Sequence, residues 1–222
     1  MGVRELRREE TTRRIVDVAE EQIQRQGAPA LSLRGVARDL DLAVSALYRY
    51  FPSRDDLLTA VITRAYHDCA DAVEAAMTRV RTRRRDAARL AWTAAADAYR
   101  AWAHANPSRF LLIFGTPVPG YAAPVEPTRA AGTRIPVLLC GLLTDIDVPP
   151  MRLPAKTRRG LEDVAATLGV PVGAGALALG MTGWAAVHGH VMFELSGQLG
   201  AVGGDDGLFD IVVREQAVRL GL

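Results

Sequence analysis

Apolar residues recur along this chain at three- and four-residue spacing and nowhere alternate strictly with polar ones, so the pattern predicts an all-α protein. Ile15, Val18, Ala19 and Ile23 form one stripe, ended by Gly27, Ala28 and Pro29. Ser32 is placed to cap a second, short helix with Val36, Ala37 and Leu40 on its apolar face. After a turn at 41–43, a third helix is expected over 44–51, closed by Pro52. Ser53 begins a fourth in a capping pattern completed by Asp56, with Leu58, Val61, Ile62, Ala65 and Cys69 as its buried stripe to about residue 80. A fifth spans 86–105, and a short sixth runs from Pro107 to near Phe114. Residues 115–127 hold four Pro and two Gly, which predicts a loop. Helices are then expected over 128–143, 161–168, 172–199 and 205–220. Three short helices joined by tight turns thus precede longer, more apolar ones, which predicts a domain over 1–52 and a larger one over 53–222.

The stretch 167–193 has no Asp, Glu, Lys or Arg and passes the roughly 18-residue length test for a membrane span. Its six Gly, Pro171, His188 and His190 argue instead for a buried core or subunit-interface helix. With 222 residues, 49% hydrophobic and 23% charged, the chain has the composition of a folded soluble protein. Its 27 basic against 25 acidic residues leave a net charge of +2, so global charge indicates no nucleic-acid partner. Cys69 and Cys140 are far apart and in no CxxC pair, which predicts neither a disulfide framework nor structural zinc. Together with an N-terminus that mixes Arg and Glu where an export signal would be apolar, this predicts a cytoplasmic protein.

The segment 32–51, SLRGVARDLDLAVSALYRYF, has the proportions of a helix-turn-helix, whose second helix enters the DNA major groove. Asp41 is among the few non-glycine types that tolerate the left-handed backbone such a turn needs. Leu42 and Leu47 can pack on Val36 and Ala37, leaving Val44, Ser45, Tyr48 and Arg49 outward. Arg34 and Arg49 suit guanine edges or phosphates; the hydroxyls of Ser32, Ser45, Tyr48 and Tyr50 suit phosphate oxygens. The same spacing also fits an ordinary helical subdomain with Tyr48, Tyr50 and Phe51 as core.

The run LSLRGVARDLDLAVSALYRYFPSRDDLL resembles the N-terminal helix-turn-helix of TetR-type (tetracycline-repressor-like) transcriptional regulators, with Leu47, Tyr48, Phe51, Ser53, Arg54 and Leu57 matching the family pattern. By position, the resemblance implies that Arg34, Val44, Ser45, Ala46 and Arg49 read bases, and that Ser32, Tyr48, Tyr50 and Arg54 hold phosphates. Two positions depart from the family: Ala43 stands at the usual Ser or Thr cap of the recognition helix, and Asp41 at the usual turn glycine. Further on, Trp184, His188 and Gly189 resemble the Trp-His-Gly signature of one subgroup of TetR-type C-terminal domains.

On this reading the chain is a repressor that binds a palindromic double-stranded operator as a homodimer, without cofactor or metal, and is released by a small hydrophobic or aromatic effector. Trp92, Tyr99, Trp102, Phe110, Phe114, Met181, Trp184 and His188 are expected to converge, as a pocket for that effector or as plain core. Gly180, Gly183, Leu208, Ile211, Val212 and Val218 are expected at the dimer interface, because these segments carry more apolar surface than a monomer would expose. The alternative is a DNA-binding dimer with no ligand; a nucleotide-dependent enzyme is a distant third. Its only support is Gly173, Gly175 and Ala178 in a GxGxxA spacing, which lacks the preceding strand that such a loop requires. His188 and His190 point about 200° apart on a helix and cannot share a metal. The cluster of Arg79, Arg81, Arg83, Arg84 and Arg85 reads as a solvated turn rather than a second DNA patch.

Overall fold

A computed structural model describes residues 2–80, 86–115, 117–144 and 151–222; Arg81, Arg83, Arg84 and Arg85 lie outside them. The described residues form helices and no strand: α1 (Val3–Gln26), α2 (Leu33–Asp39), α3 (Val44–Leu47), α4 (Arg54–Arg79), α5 (Ala87–Ala105), α6 (Pro107–Phe114), α7 (Val125–Gly132), α8 (Arg134–Gly141), α9 (Ala155–Leu168), α10 (Ala174–Leu195) and α11 (Asp206–Leu220). None is long and apolar enough to cross a membrane.

Most elements fall where the hydrophobic pattern puts them, and the departures have local causes. The third helix is α-helical only over Val44–Leu47, because Arg49 and Tyr50 then donate to Ala46 and Leu47 in a tighter, three-residue pattern, with Phe51 also bonded back to Leu47. The single helix expected over 128–143 is two, α7 and α8. Pro136 has no N–H to donate to Gly132, so the helix cannot pass through Thr133 and restarts there. α7 also begins inside the expected loop, and α9 starts at Ala155 rather than near Leu161.

Contacts divide the chain into two units, neither continuous in sequence and neither cut at 52/53. The first comprises 1–68 and 106–132, the second 69–105 and 133–222. The cause is shared burial: Leu57, Leu58, Val61 and Ile62 of α4 sit in one core with Ile15 and Ala19 of α1, Val36 and Ala37 of α2, and Leu47 of α3, joined by Leu112 and Ile113 of α6. Charges reinforce this core. Arg64 on α4 bonds Glu20 at 2.8 Å and Asp17 at 2.6 Å on α1. Arg109 on α6 bonds Asp68 and lies 3.5 Å from Glu20.

In the second unit, α5 and α11 are tied by a buried bond from the Trp92 indole N–H to the Val213 carbonyl, 3.1 Å. Trp92 meets Trp184 of α10 edge-on at 6.1 Å, and Tyr99 lies 4.7 Å from the same indole. Nearby, the Glu194 side chain is 1% exposed and holds Arg100 at 2.8 Å, His104 at 2.9 Å and His190 at 3.4 Å. Arg100 also pairs with Asp206 at the start of α11 and lies over the Phe209 ring. Burial by itself would raise the Glu194 carboxyl, but hydrogen bonds from Arg100 and His104 outweigh it and hold the group below the usual carboxylate range.

A carboxyl whose folded value is depressed stabilises the fold above its unfolded value and loses that contribution as pH falls through the folded one. Glu194→Gln is therefore expected to destabilise the protein by about 3 kcal/mol at neutral pH, by leaving Arg100 short of its buried counter-charge. In denaturant titrations, the wild type should lose stability on acidification below the carboxylate range more steeply than the variant. Parallel acid limbs would refute this account of the cluster.

Candidate nucleic-acid interface

The reading face is built on two devices. Behind α2, the Gln22 side chain, 4% exposed, accepts the Ser32 N–H at 2.8 Å. A Cβ at Gly35 would stand 2.5 Å from the Gln22 amide nitrogen, so only glycine lets α2 approach α1 this closely around that bond. Ser32 caps α2, its hydroxyl accepting the Gly35 N–H at 3.4 Å. At the other end, Asp41 has φ +54°, the one positive value outside glycine among the described residues. The Leu42 N–H returns to the Ala37 carbonyl at 2.8 Å and the Asp41 N–H to Arg38 at 3.1 Å, the paired bonds of a Schellman turn. The chain leaves that turn aimed into α3, and Leu47, fully buried, fixes it against the core. Ala43 gives α3 no side-chain cap.

Among the residues expected to meet DNA, Ser32, Arg34, Val44, Ser45, Tyr48 and Arg49 are exposed. Ala46 and Tyr50 are half-buried, and the Arg8 guanidinium lies over the Tyr50 ring at 5.7 Å. Arg34 and Arg49 have no carboxylate partner among the described residues, which leaves both charges available to a polyanion. Arg54 is differently employed. Its guanidinium donates to the carbonyls of Ala28 at 2.9 Å and Leu31 at 3.1 Å and pairs with Asp55 at 3.2 Å, which ties down the turn between α1 and α2. The α4 start behaves as its pattern predicts: Ser53 accepts the Asp56 N–H at 3.1 Å and donates to its carboxylate at 2.7 Å.

The eight residues expected to line an effector pocket are not brought together within either unit. Phe110 and Phe114 belong to the first unit, where Phe114 packs edge-on against Tyr66; the other six belong to the second. There Trp92 and Tyr99 are at most 2% exposed, Trp102 is 9% exposed, and Met181 faces outward at 53%. Burial pushes the His188 imidazole down, so its neutral Nδ1 can accept the Tyr99 hydroxyl 2.7 Å away. Trp92, Tyr99 and Trp102 are thus buried, while Trp184 and His188 are half-buried. The first unit instead holds a cleft of about 520 Å³ that the sequence pattern does not reveal. It is lined by Ile62 and Tyr66 of α4, Leu112 and Ile113 of α6, Val118 and Tyr121, and Thr128 and Arg129 of α7. Tyr66 donates to the Ile113 carbonyl at 2.9 Å, and Tyr121 meets Thr59 at 2.9 Å.

Gly180 and Gly183, expected to face a second subunit, turn into their own unit. A Cβ at Gly180 would stand 2.9 Å from Leu143, and one at Gly183 would stand 3.5 Å from Trp92. Of the remaining residues expected there, Ile211 and Val218 are 48% and 72% exposed, and Leu208 and Val212 are half-buried. Met181 and Phe193, the latter 50% exposed, continue an apolar exposed face along α10.

Two family models match the chain. One described as "Bacterial regulatory proteins, tetR family" matches residues 15–61, and one described as "Tetracyclin repressor-like, C-terminal domain" matches residues 92–216. HTH-type transcriptional regulator Rv1816 of Mycobacterium tuberculosis is 36% identical over 211 residues, covering 90% of this chain and 87% of the relative. Among solved structures, SCO4313, described as a regulatory protein, superimposes with a TM-score of 0.76 at 34% identity over 97% of this chain and 98% of that one. A protein of unknown function from Rhodococcus sp. RHA1 shares the fold, with a TM-score of 0.63 at 23% identity over 94% and 93% of the two chains.

Proposed function

Because the chain belongs to the TetR family of transcriptional regulators, we propose that it represses transcription by binding a palindromic operator as a homodimer, and that a small apolar or aromatic molecule releases it. The family is one of DNA-binding regulators and not of enzymes. The observation that carries the reading is the exposed face of α2, α3 and the turn after it, where Arg34 and Arg49 have no carboxylate partner among the described residues, around a helix anchored by Leu47. In this reading Arg34, Val44, Ser45, Ala46 and Arg49 meet base edges, and Ser32, Tyr48 and Tyr50 meet phosphates. Arg54 acts from behind, holding the turn before α2, and its partners explain why its loss would weaken binding without any contact to DNA. A chromosomal operator implies a cytoplasmic protein.

Dimerisation is supported by the exposed apolar faces of α10 and α11, which suit a two-fold four-helix interface. The effector is assigned to the cleft beside α4. Its volume lies within the range of small-molecule sites, its walls are mostly apolar, and Tyr66, Thr128 and Arg129 supply a few polar groups. α4 begins in the same core as the reading helices, so a ligand that favours one placement of α4 would bias the head.

Tyr48→Ala combined with Arg49→Ala is expected to weaken operator binding at least a hundredfold by gel shift while leaving the melting temperature unchanged. Undiminished binding would overturn the DNA-reading assignment. Ile211→Glu with Val218→Glu should give a monomer by sedimentation at micromolar concentration; a dimer of unchanged affinity would refute the interface. For the effector, a compound found by thermal-shift screening should bind about 5- to 150-fold more weakly when operator is present, by linkage. Thr128→Trp should abolish its binding and spare that of DNA. Equal affinities with and without operator would leave binding without regulation; a screen in which no compound binds would favour the ligand-free dimer, for which the close packing of Trp92 and Tyr99 speaks.

A further inference from the structure

The turns of α1 before Ile15 touch no core, yet they are not a neutral solvated helix. Residues 2–10 are exposed and the first buried residue is Ile15. At 100° per residue, Arg4, Arg7, Arg8, Thr11 and Arg14 fall within a sector of about 120° that also contains Ile15. Glu5, Glu9, Glu10 and Arg13 lie outside that sector. The four arginines thus form one stripe that meets the core-facing side of α1 at Ile15, with the carboxylates outside it. Glu10 and Arg14 stand at a spacing that favours a helix ion pair, as do Glu9 and Arg13. Even so, no carboxylate among the described residues pairs with Arg4, Arg7, Arg8, Arg13 or Arg14. The stripe begins at the reading head itself, since Arg8 lies over the ring of Tyr50 at 5.7 Å.

We propose that this arginine face of α1 is a second DNA-contacting surface, one that takes backbone phosphates flanking the bases read from α3. The proposal rests on the operator-binding reading above and extends it to residues that the family match, which begins at residue 15, does not reach. Arg4 to Arg14 cover about 15 Å of helix, the length of about four base pairs of duplex. Arginine forks suit phosphate oxygens and need no particular sequence, so this face contributes affinity and salt dependence rather than base preference. A lipid surface would require an apolar side, and the far side of these turns carries Glu5 and Glu9 instead.

The test uses the full chain and a fluorescently labelled random-sequence duplex about 40 base pairs long, with affinity measured as salt is raised. Replacing Arg4, Arg7, Arg8 and Arg14 together by Gln should reduce the slope of log affinity against log salt by about 3 to 4 per subunit, about 7 for a dimer with both faces on the duplex, at unchanged melting temperature. Arg13→Gln, on the same turns but the other face, should leave the slope unaltered. If the quadruple variant keeps the wild-type slope, this surface is not a DNA contact and the operator reading stands. If Arg13→Gln lowers the slope as much as Arg7→Gln does, the effect is one of net charge and the assignment to a face is overturned. A wild-type chain that binds no duplex at all overturns the parent reading and this one with it.

Discussion

Everything that the reading head does depends on burial of one side chain, Leu47. α3 is four residues long, uncapped at Ala43, and tightens after Leu47, so it has none of the length at which a helix persists by itself. Its position is set from outside, by Leu47 packed among Ile15, Val36, Leu57 and Leu58. Since α4 supplies two of those partners, the head and the first turns of α4 are one cooperative object. A distortion of α4 is then expressed at the exposed side chains of α3, because α3 has no rigidity of its own with which to resist.

The second constraint lies behind α2, where polar groups do what apolar packing does elsewhere. Gln22 is buried at the price of one satisfied bond to Ser32, and Gly35 is the gap that admits it. The bond fixes the rotation of α2 about its axis more sharply than apolar contacts would, since a mispaired amide in that position would be left unsatisfied. In the second unit the Glu194 cluster plays a similar part, with one carboxylate joining α5 to α10 and its partner Arg100 reaching Asp206 at the start of α11.

The head was legible in the sequence because its signals are local. Ser32 and Ser53 cap the helices that their spacing predicts, and Asp41 occupies the left-handed position that its residue type permits. What escaped was decided by residues distant in sequence. Nothing near Gln22 announces that Gly35 will close on it, and nothing in 106–132 announces that it joins the core of α1. Arg54 matched a phosphate-binding position, yet neighbours more than twenty residues away claim its guanidinium. Trp92, Tyr99 and Trp184 have the composition of an aromatic pocket and of a core alike, and only packing, which buries Trp92 and Tyr99 and half-buries Trp184, tells how each is used. Pro136 is the exception. Its signal was local and in plain view, and the helix break at Thr133 follows from it directly.

The discontinuous first unit has a consequence for the order of events during synthesis. Its core needs α6, so residues 1–68 can form helices as they emerge but cannot complete their burial until the chain has grown past 106–132. At about 5–20 residues per second, a ribosome takes on the order of 3–13 s to make residues 69–132. For that interval the apolar edge that α6 will cover is open to solvent and to other nascent chains. Loop closure over 69–105 then adds an entropic cost that grows only slowly with length. Rare codons or pauses within that stretch would prolong the exposure, whereas the same pauses after residue 132 would leave the head already sealed.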